Sequence, residues 1–145
     1  WIRSLSDCLK SGAVLIVDYG FLNTEYYHPD RAQGTLMCHY QHQAHTNPLI
    51  HVGEQDITAH VDFSAVIDAA QKSGFKIAGY TSQAHFLLSL GLLALAAEST
   101  DTLEHYQLAQ QIKYLTLPSE MGELFKVLAL TKNYDLPLQG FKRLY

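Results

Sequence analysis

The sequence predicts an α/β domain, and three observations carry that reading. The continuous apolar, largely β-branched run Ala13-Val14-Leu15-Ile16-Val17 suits a buried strand. A segment opening at Asp62 suits an amphipathic helix, with Phe63, Val66, Ile67 and Ala70 at i, i+3, i+4 and i+7 spacing behind a capping aspartate. A second, less apolar run at residues 76–81 completes a strand, helix, strand unit. With 145 residues, 48% hydrophobic and 17% charged, the chain is long enough for one domain with a buried core.

Taken in order, residues 2–10 form a short helix closed at Ser11-Gly12, where glycine accepts the left-handed conformation that ends many helices. The run at 13–17 follows as a strand covered on both faces in a parallel sheet, and it ends in the polar triplet Asp18-Tyr19-Gly20. Residues 21–56 show no sustained periodicity beyond a short extended piece at 35–40, yet they hold five of the eight histidines. A connection of that length in a compact domain is usually functional or disordered, and its aromatic content argues against disorder.

The helix from Asp62 closes near Gly74, and the strand at 76–81 lies nearer an edge than the first. Helical pieces are expected at 83–97 and 102–116, the second carrying Leu108, Ile112 and Leu115 on one side and stopped before Pro118. A last strand covers 125–130. Linkers are expected at 98–101 and in the tail after Asn133. Open α/β sheets bind ligands at the carboxyl ends of their strands, so Asp18, Tyr19 and Gly20, with the long segment that starts there, are expected to wall a site.

Composition removes several classes. Ten basic against fourteen acidic residues, a net charge of -4, lacks the basic excess of a nucleic-acid footprint. Cys8 and Cys38 stand in no metal-ligand spacing and form no disulfide framework, which points to a reducing compartment such as the cytoplasm. The longest apolar stretch, 86–97, is too short to span a bilayer, so no membrane segment is expected. The chain opens on Trp1-Ile2-Arg3 without a basic, then apolar leader, and is expected to be a piece of a longer protein.

Among motifs, His39, His42, His45, His51 and His60 invite a metal reading, but no HExxH or similar spacing supports it, and loop histidines bonded to backbone or water are the expected role. GxSxG is absent. Cys38 and His39 would point to opposite faces of a strand, which argues against a nucleophile and base pair and for an inert, half-buried thiol. No glycine-rich phosphate loop follows a strand. The carboxylates Asp18, Glu54, Asp56 and Asp62 flank the long segment and can orient a cationic group; capping explains Asp62, whereas Asp18 has no such local explanation.

The order and spacing of Val17-Asp18-Tyr19-Gly20, Tyr27-His28-Pro29-Asp30-Arg31, Gly34-Thr35-Leu36, His39-Tyr40 and His42 resemble the MidA-like methyltransferase family. So do Gly53-Glu54-Gln55-Asp56-Ile57-Thr58-Ala59-His60-Val61-Asp62-Phe63, the segment from Gly79 to Leu87 and the segment from Glu120 to Leu130; the resemblance runs from about residue 15 to residue 141. It implies the seven-stranded, Rossmann-like fold of S-adenosylmethionine-dependent methyltransferases. Residues 1–145 would be its carboxyl-terminal portion, with strand five at 13–18, strand six at 76–81 and an antiparallel strand seven at 125–130 inserted between them. A helical insertion would occupy about 83–117.

The resemblance also implies methyl transfer from S-adenosyl-L-methionine to a protein nitrogen such as arginine, since a mitochondrial member is a protein arginine methyltransferase acting in assembly of respiratory complex I. The residues that bind the cofactor would lie in an amino-terminal half absent here, so this chain alone is expected to be inactive and to supply the acceptor-side loop. The implied catalytic candidates are Asp18, Tyr19 and Asp56, with His28, Arg31, His42, Glu54, Thr58 and His60 shaping the acceptor pocket and no metal. A bacterial protein of this kind would be cytoplasmic and a eukaryotic one mitochondrial. The expected partners are a protein substrate and, through the bare edge of the first strand, a second copy or the missing half. The alternative is a non-catalytic assembly module that docks through the loop and the helices, with a metal-dependent hydrolase a distant third.

Overall fold

The computed structural model describes residues 1–97 and 102–142, apart from the side chains of Thr102 and Glu104. Helix α1 (Ile2–Cys8) leads into strand β1 (Gly12–Phe21), followed by a helical turn α2 (Asn23–Tyr26) and a 3-10 turn at Pro29–Arg31. Strands β2 (Met37–Tyr40), β3 (Gln43–His45) and β4 (Asp56–Thr58) form a small antiparallel sheet in the order β3-β2-β4. A two-residue strand β5 (Val61–Asp62) passes directly into α3 (Phe63–Lys72), and β6 (Lys76–Ser82) follows. Helices α4 (Gln83–Ser89), α5 (Leu92–Ala96), α6 (Thr102–Thr116) and α7 (Met121–Leu124) precede β7 (Phe125–Lys132), and a 3-10 turn at Gln139–Phe141 comes last.

The main sheet has the order β5-β1-β7-β6, with β7 antiparallel to both of its neighbours. The last strand is therefore inserted between the first and the one after α3, as the resemblance implies. Its central position explains its composition, because Val127, Leu128, Ala129 and Leu130 are all buried. Leu128 and Leu130 face a core built from Ile2 of α1, Phe63 and Ala70 of α3, and Phe75. Each large side chain buried this way contributes about 1.5–3 kcal/mol. Helices α4 and α7 cover the sheet from β6 and β7, and α4 also packs against the turn at Gln139–Phe141.

Local chemistry sets the ends of these elements. Asp62 caps α3, its Oδ1 accepting the Ala65 N–H at 3.0 Å. The buried Ser6 hydroxyl donates to the Ser73 carbonyl at 2.6 Å and accepts from Lys132 Nζ at 2.9 Å, which ties α1 and the end of α3 to β7.

Several expectations change. Strand β1 does not stop before the polar triplet; it runs through Asp18, Tyr19 and Gly20 to Phe21, because Gly20 and Phe21 pair in parallel with Val61 and Asp62. Nor is it buried in a parallel sheet. Its long neighbour is antiparallel, and Leu15 and Val17 are each 52% exposed. Residues 12–19 have no strand partner on their outer edge among the described residues. The segment 21–56 is a folded lobe instead of a structureless loop. The helix expected over 83–97 breaks into α4 and α5 at Gly91, which takes φ +87°. The linker expected at 98–101 lies outside the described residues. The tail after Asn133 is no linker: Lys76 Nζ donates to Asp135 at 2.8 Å, and Phe141 packs on Phe86 with ring centroids 5.3 Å apart.

Candidate functional site

A cleft of about 840 Å³ opens between the carboxyl end of β1 and the small sheet. Tyr19 walls it from β1 and Leu124 from the end of α7. Met37 and His39 of β2 and Thr58 of β4 enter from the small sheet, where Met37 pairs with Thr58 and His39 with Asp56. Arg31, Gln33, Gly34, Thr35 and Leu36 approach from the segment before β2, and Thr46 and His60 complete the lining. The volume lies within the range of about 300–1,000 Å³ usual for small-molecule sites.

Contacts on several sides hold His60 in the cleft. Its ring stacks on Phe21 with centroids 5.0 Å apart and meets Tyr19 edge-on at 5.4 Å. Its backbone N–H donates to Thr35 Oγ1 at 3.1 Å, while its Nδ1 is buried with no partner. Burial disfavours the imidazolium, and the positive charge of Arg31 adds to this, so the pKa falls below the ordinary value of 6.5; the Thr35 bond and the Asp18 charge oppose the fall. His60 is therefore neutral at pH 7. The Arg31 guanidinium lies 4.1 Å from the centroid of the Phe21 ring and donates through NH1 to the Glu25 carbonyl. Among the described lining residues it is the only permanent charge, and no carboxylate lines the cleft.

Of the nine residues singled out in the sequence, the structure brings Tyr19, Arg31, Thr58 and His60 together on the cleft. Asp18 sits beside them: its Oδ1 accepts the Tyr19 N–H at 2.8 Å, a local role the sequence did not reveal, and its charge reaches His60. Asp56 shares the cleft-facing side of β4 with Thr58, at the exposed register position opposite His39. The other three lie away from the lining. His28 caps the turn at Pro29–Arg31, with Nδ1 3.3 Å from Asp30 Oδ2. His42 occupies the β2–β3 hairpin turn at φ +65°, and Glu54 sits in an exposed turn with its N–H bonded to the His51 carbonyl at 2.9 Å.

Thr35, Met37, His39 and Thr46 were not singled out for the cleft: Met37 and His39 lie on β2, inside the extended piece expected at 35–40, but the pattern did not announce its pairing with β3 and β4. Alternation in β2 was the available signal. It puts His39 on the cleft side and Cys38 on the other, where the thiol is fully buried and not half-buried. Among the described residues no three His, Cys, Asp or Glu side chains gather as metal ligands, and no helix is long and apolar enough to cross a membrane.

The model of a protein family described as "Putative S-adenosyl-L-methionine-dependent methyltransferase" matches residues 1–81, more than half of the chain. The chain belongs to the MidA-like family of S-adenosylmethionine-dependent methyltransferases. Its similarity to other proteins extends beyond that match. The mitochondrial protein arginine methyltransferase NDUFAF7 of mouse is 35% identical over 141 residues, which is 93% of this chain and 30% of that protein. The human protein of the same name is 33% identical over 139 residues, with the same coverage.

Two crystal structures from Burkholderia thailandensis also resemble this MidA-like chain at 46% identity over 98% of its length. One is a native structure, with a TM-score of 0.94 and 38% of its chain covered. The other is bound to S-adenosyl-homocysteine, with a TM-score of 0.93 and 37% covered. The chain thus spans under a third of the curated relatives and under two-fifths of the solved chains.

Proposed function

We propose that this chain forms the acceptor side of an S-adenosylmethionine-dependent methyltransferase that modifies a protein nitrogen, with arginine the acceptor suggested by the name of the mitochondrial relatives. The observation that carries the reading is the cleft at the carboxyl end of β1, where open α/β sheets place their ligands. In the numbering of the family fold, β1, β6 and β7 would be strands five, six and seven. We place a bacterial parent protein in the cytoplasm and a eukaryotic one in mitochondria.

The residues described here do not by themselves fit the cofactor. No glycine-rich loop joins a strand to a helix among them, and the glycine at the end of β1 has a different duty: a Cβ on Gly20 would collide with the backbone of Val61. We therefore assign this chain to the acceptor and derive its part only. The Tyr19 hydroxyl and the hydroxyls of Thr35 and Thr58 offer hydrogen bonds that fix the acceptor nitrogen, and the walls exclude water. Neutral His60 is suited to take up a proton as the nitrogen is modified, with Asp18 favouring the imidazolium so formed. His28, His42, Glu54 and Asp56 are exposed around this lobe, and we assign them to contacts with the protein substrate beyond the acceptor side chain.

The test is turnover in the full-length protein. Tyr19→Phe and Asp18→Asn should each lower methyl transfer by about tenfold or more, with affinity for S-adenosyl-homocysteine retained. Wild-type turnover in both variants would remove the cleft from the reaction.

The open edge of β1, with Leu15 and Val17 exposed beside it, supports strand addition by another part of the full-length protein or by a second copy. Light scattering that shows the isolated chain as a monodisperse monomer would count against this. A non-catalytic docking role draws support from one observation, the apolar groove of about 350 Å³ between α5 and α6, lined in part by the exposed Leu93. That reading predicts a full-length protein that does not bind S-adenosylmethionine.

A further inference from the structure

The cleft holds a cation where a guanidinium acceptor would be expected to meet only anions. Arg31 is half-buried and held on two sides, by the Phe21 ring and by the Glu25 carbonyl. Among the described residues it forms no ion pair, since the pairs present are His28 with Asp30, Lys76 with Asp135 and Lys126 with Glu123. A guanidinium carries five N–H donors in a rigid fork, matched in geometry to a carboxylate, and only NH1 is engaged by the Glu25 carbonyl. Held this way, partly desolvated and without an ion-pair partner, the guanidinium repels a second positive group that approaches it, although Asp18 and Asp56 flank the cleft without lining it. The neighbours Thr35, Thr46 and Thr58 carry no charge, the Thr58 hydroxyl donating to the Met37 carbonyl, and burial favours the neutral form of His60.

We propose that Arg31 anchors a carboxylate carried by the acceptor, so that the protein substrate presents an acidic residue close to the nitrogen that is modified. The proposal rests on the acceptor entering this cleft, as argued above. It converts Arg31 from a pocket wall into a specificity-determining residue: the acidic neighbour pairs with Arg31 and lets the cationic acceptor side chain approach Tyr19. A carboxylate also exists on the amino-acid portion of the cofactor, and the experiment separates the two sources.

The probe is a pair of peptides titrated calorimetrically into the full-length protein. One is acetyl-Gly-Asp-Gly-Arg-Gly-Asp-Gly-amide, and the other has both aspartates replaced by asparagine. The expected result is about fivefold tighter binding of the acidic peptide, the scale of one partly exposed charge-assisted contact. The preference should vanish in Arg31→Gln, shrink in Arg31→Lys, which keeps the charge without the fork, and reverse in Arg31→Glu toward a peptide carrying lysine in place of aspartate. Affinity for S-adenosyl-homocysteine should be unchanged in Arg31→Lys. Equal affinity of the two peptides for the wild type, or binding of neither, overturns the proposal and leaves Arg31 a staple of its loop. A selective loss of S-adenosyl-homocysteine affinity in the variants also overturns it, by moving the carboxylate to the cofactor. A wild type that prefers the acidic peptide yet never binds S-adenosyl-homocysteine would keep the anchor and defeat the methyltransferase reading instead.

Discussion

Replacing Gly20 by alanine tests how the cleft is held against the sheet. Gly20 pairs with Val61 where β1 and β5 run parallel, and a Cβ built there falls inside the contact distance of the Val61 nitrogen, carbonyl carbon and oxygen. These are backbone atoms, so no rotamer change can relieve the clash and β5 must move away. Overpacking of this kind costs about 1–3 kcal/mol, and each β1–β5 hydrogen bond lost with it adds about 1 kcal/mol. A total near 3 kcal/mol lowers the melting temperature of a chain this size by about 6–12 °C. His60 directly precedes Val61, so its stacking on Phe21 should loosen in the same variant, visible as a change in its ring proton shifts. Gly91→Ala is the control: φ is +87° there but the space is open, so left-handed strain alone costs about 1–2 kcal/mol. Thermal and urea melts of Gly20→Ala within about 0.5 kcal/mol of wild type, or Gly91→Ala the more damaging of the two, would refute the reasoning.

Other outcomes follow from the same contacts. Phe63→Ala removes the largest fully buried side chain from the core and should cost about 3–5 kcal/mol in a urea melt; a loss below 1 kcal/mol would mean that the site is not packed as described. Asp62→Ala deletes the cap on α3 and should cost about 1 kcal/mol, largely restored by Asp62→Asn. His60 has a folded pKa below its unfolded value of 6.5, so the unfolded chain binds the proton more readily, and stability should fall as pH drops from 6.5 to the folded pKa, then level off. His60→Gln should flatten that slope in melts between pH 5 and pH 7, and an unchanged slope would contradict the burial assigned to the ring.

Helix α3 was legible because two independent signals coincide, the Asp62 cap and the apolar stripe ending in Ala70. Strand β6 was legible down to its edge position, which its thinner apolar pattern anticipates. The central place of β7 came from the resemblance, because a run of apolar residues does not say which neighbours it will have. Of the small sheet only β2 was legible, as the extended piece expected at 35–40; its pairing was not, because the strands are three or four residues long and the hairpin turns at Gln41 and His42, at φ +47° and +65°, without the glycine or asparagine that normally announces such a turn. That omission accounts for Met37 and His39 going unassigned to the cleft. It also accounts for His42, which reads as a pocket histidine in the sequence and stands at the hairpin tip in the structure. Leu15 and Val17 look like core residues in sequence, yet the pattern cannot show that one side of their strand is left uncovered here.

The most direct test of the acceptor-side assignment is calorimetric titration of S-adenosylmethionine into the full-length protein and, separately, into this 145-residue chain. The expected result is binding by the full-length protein and none by the chain. Binding by the chain alone would place the cofactor in residues assigned here to the acceptor, and binding by neither would contradict methyl transfer as the function.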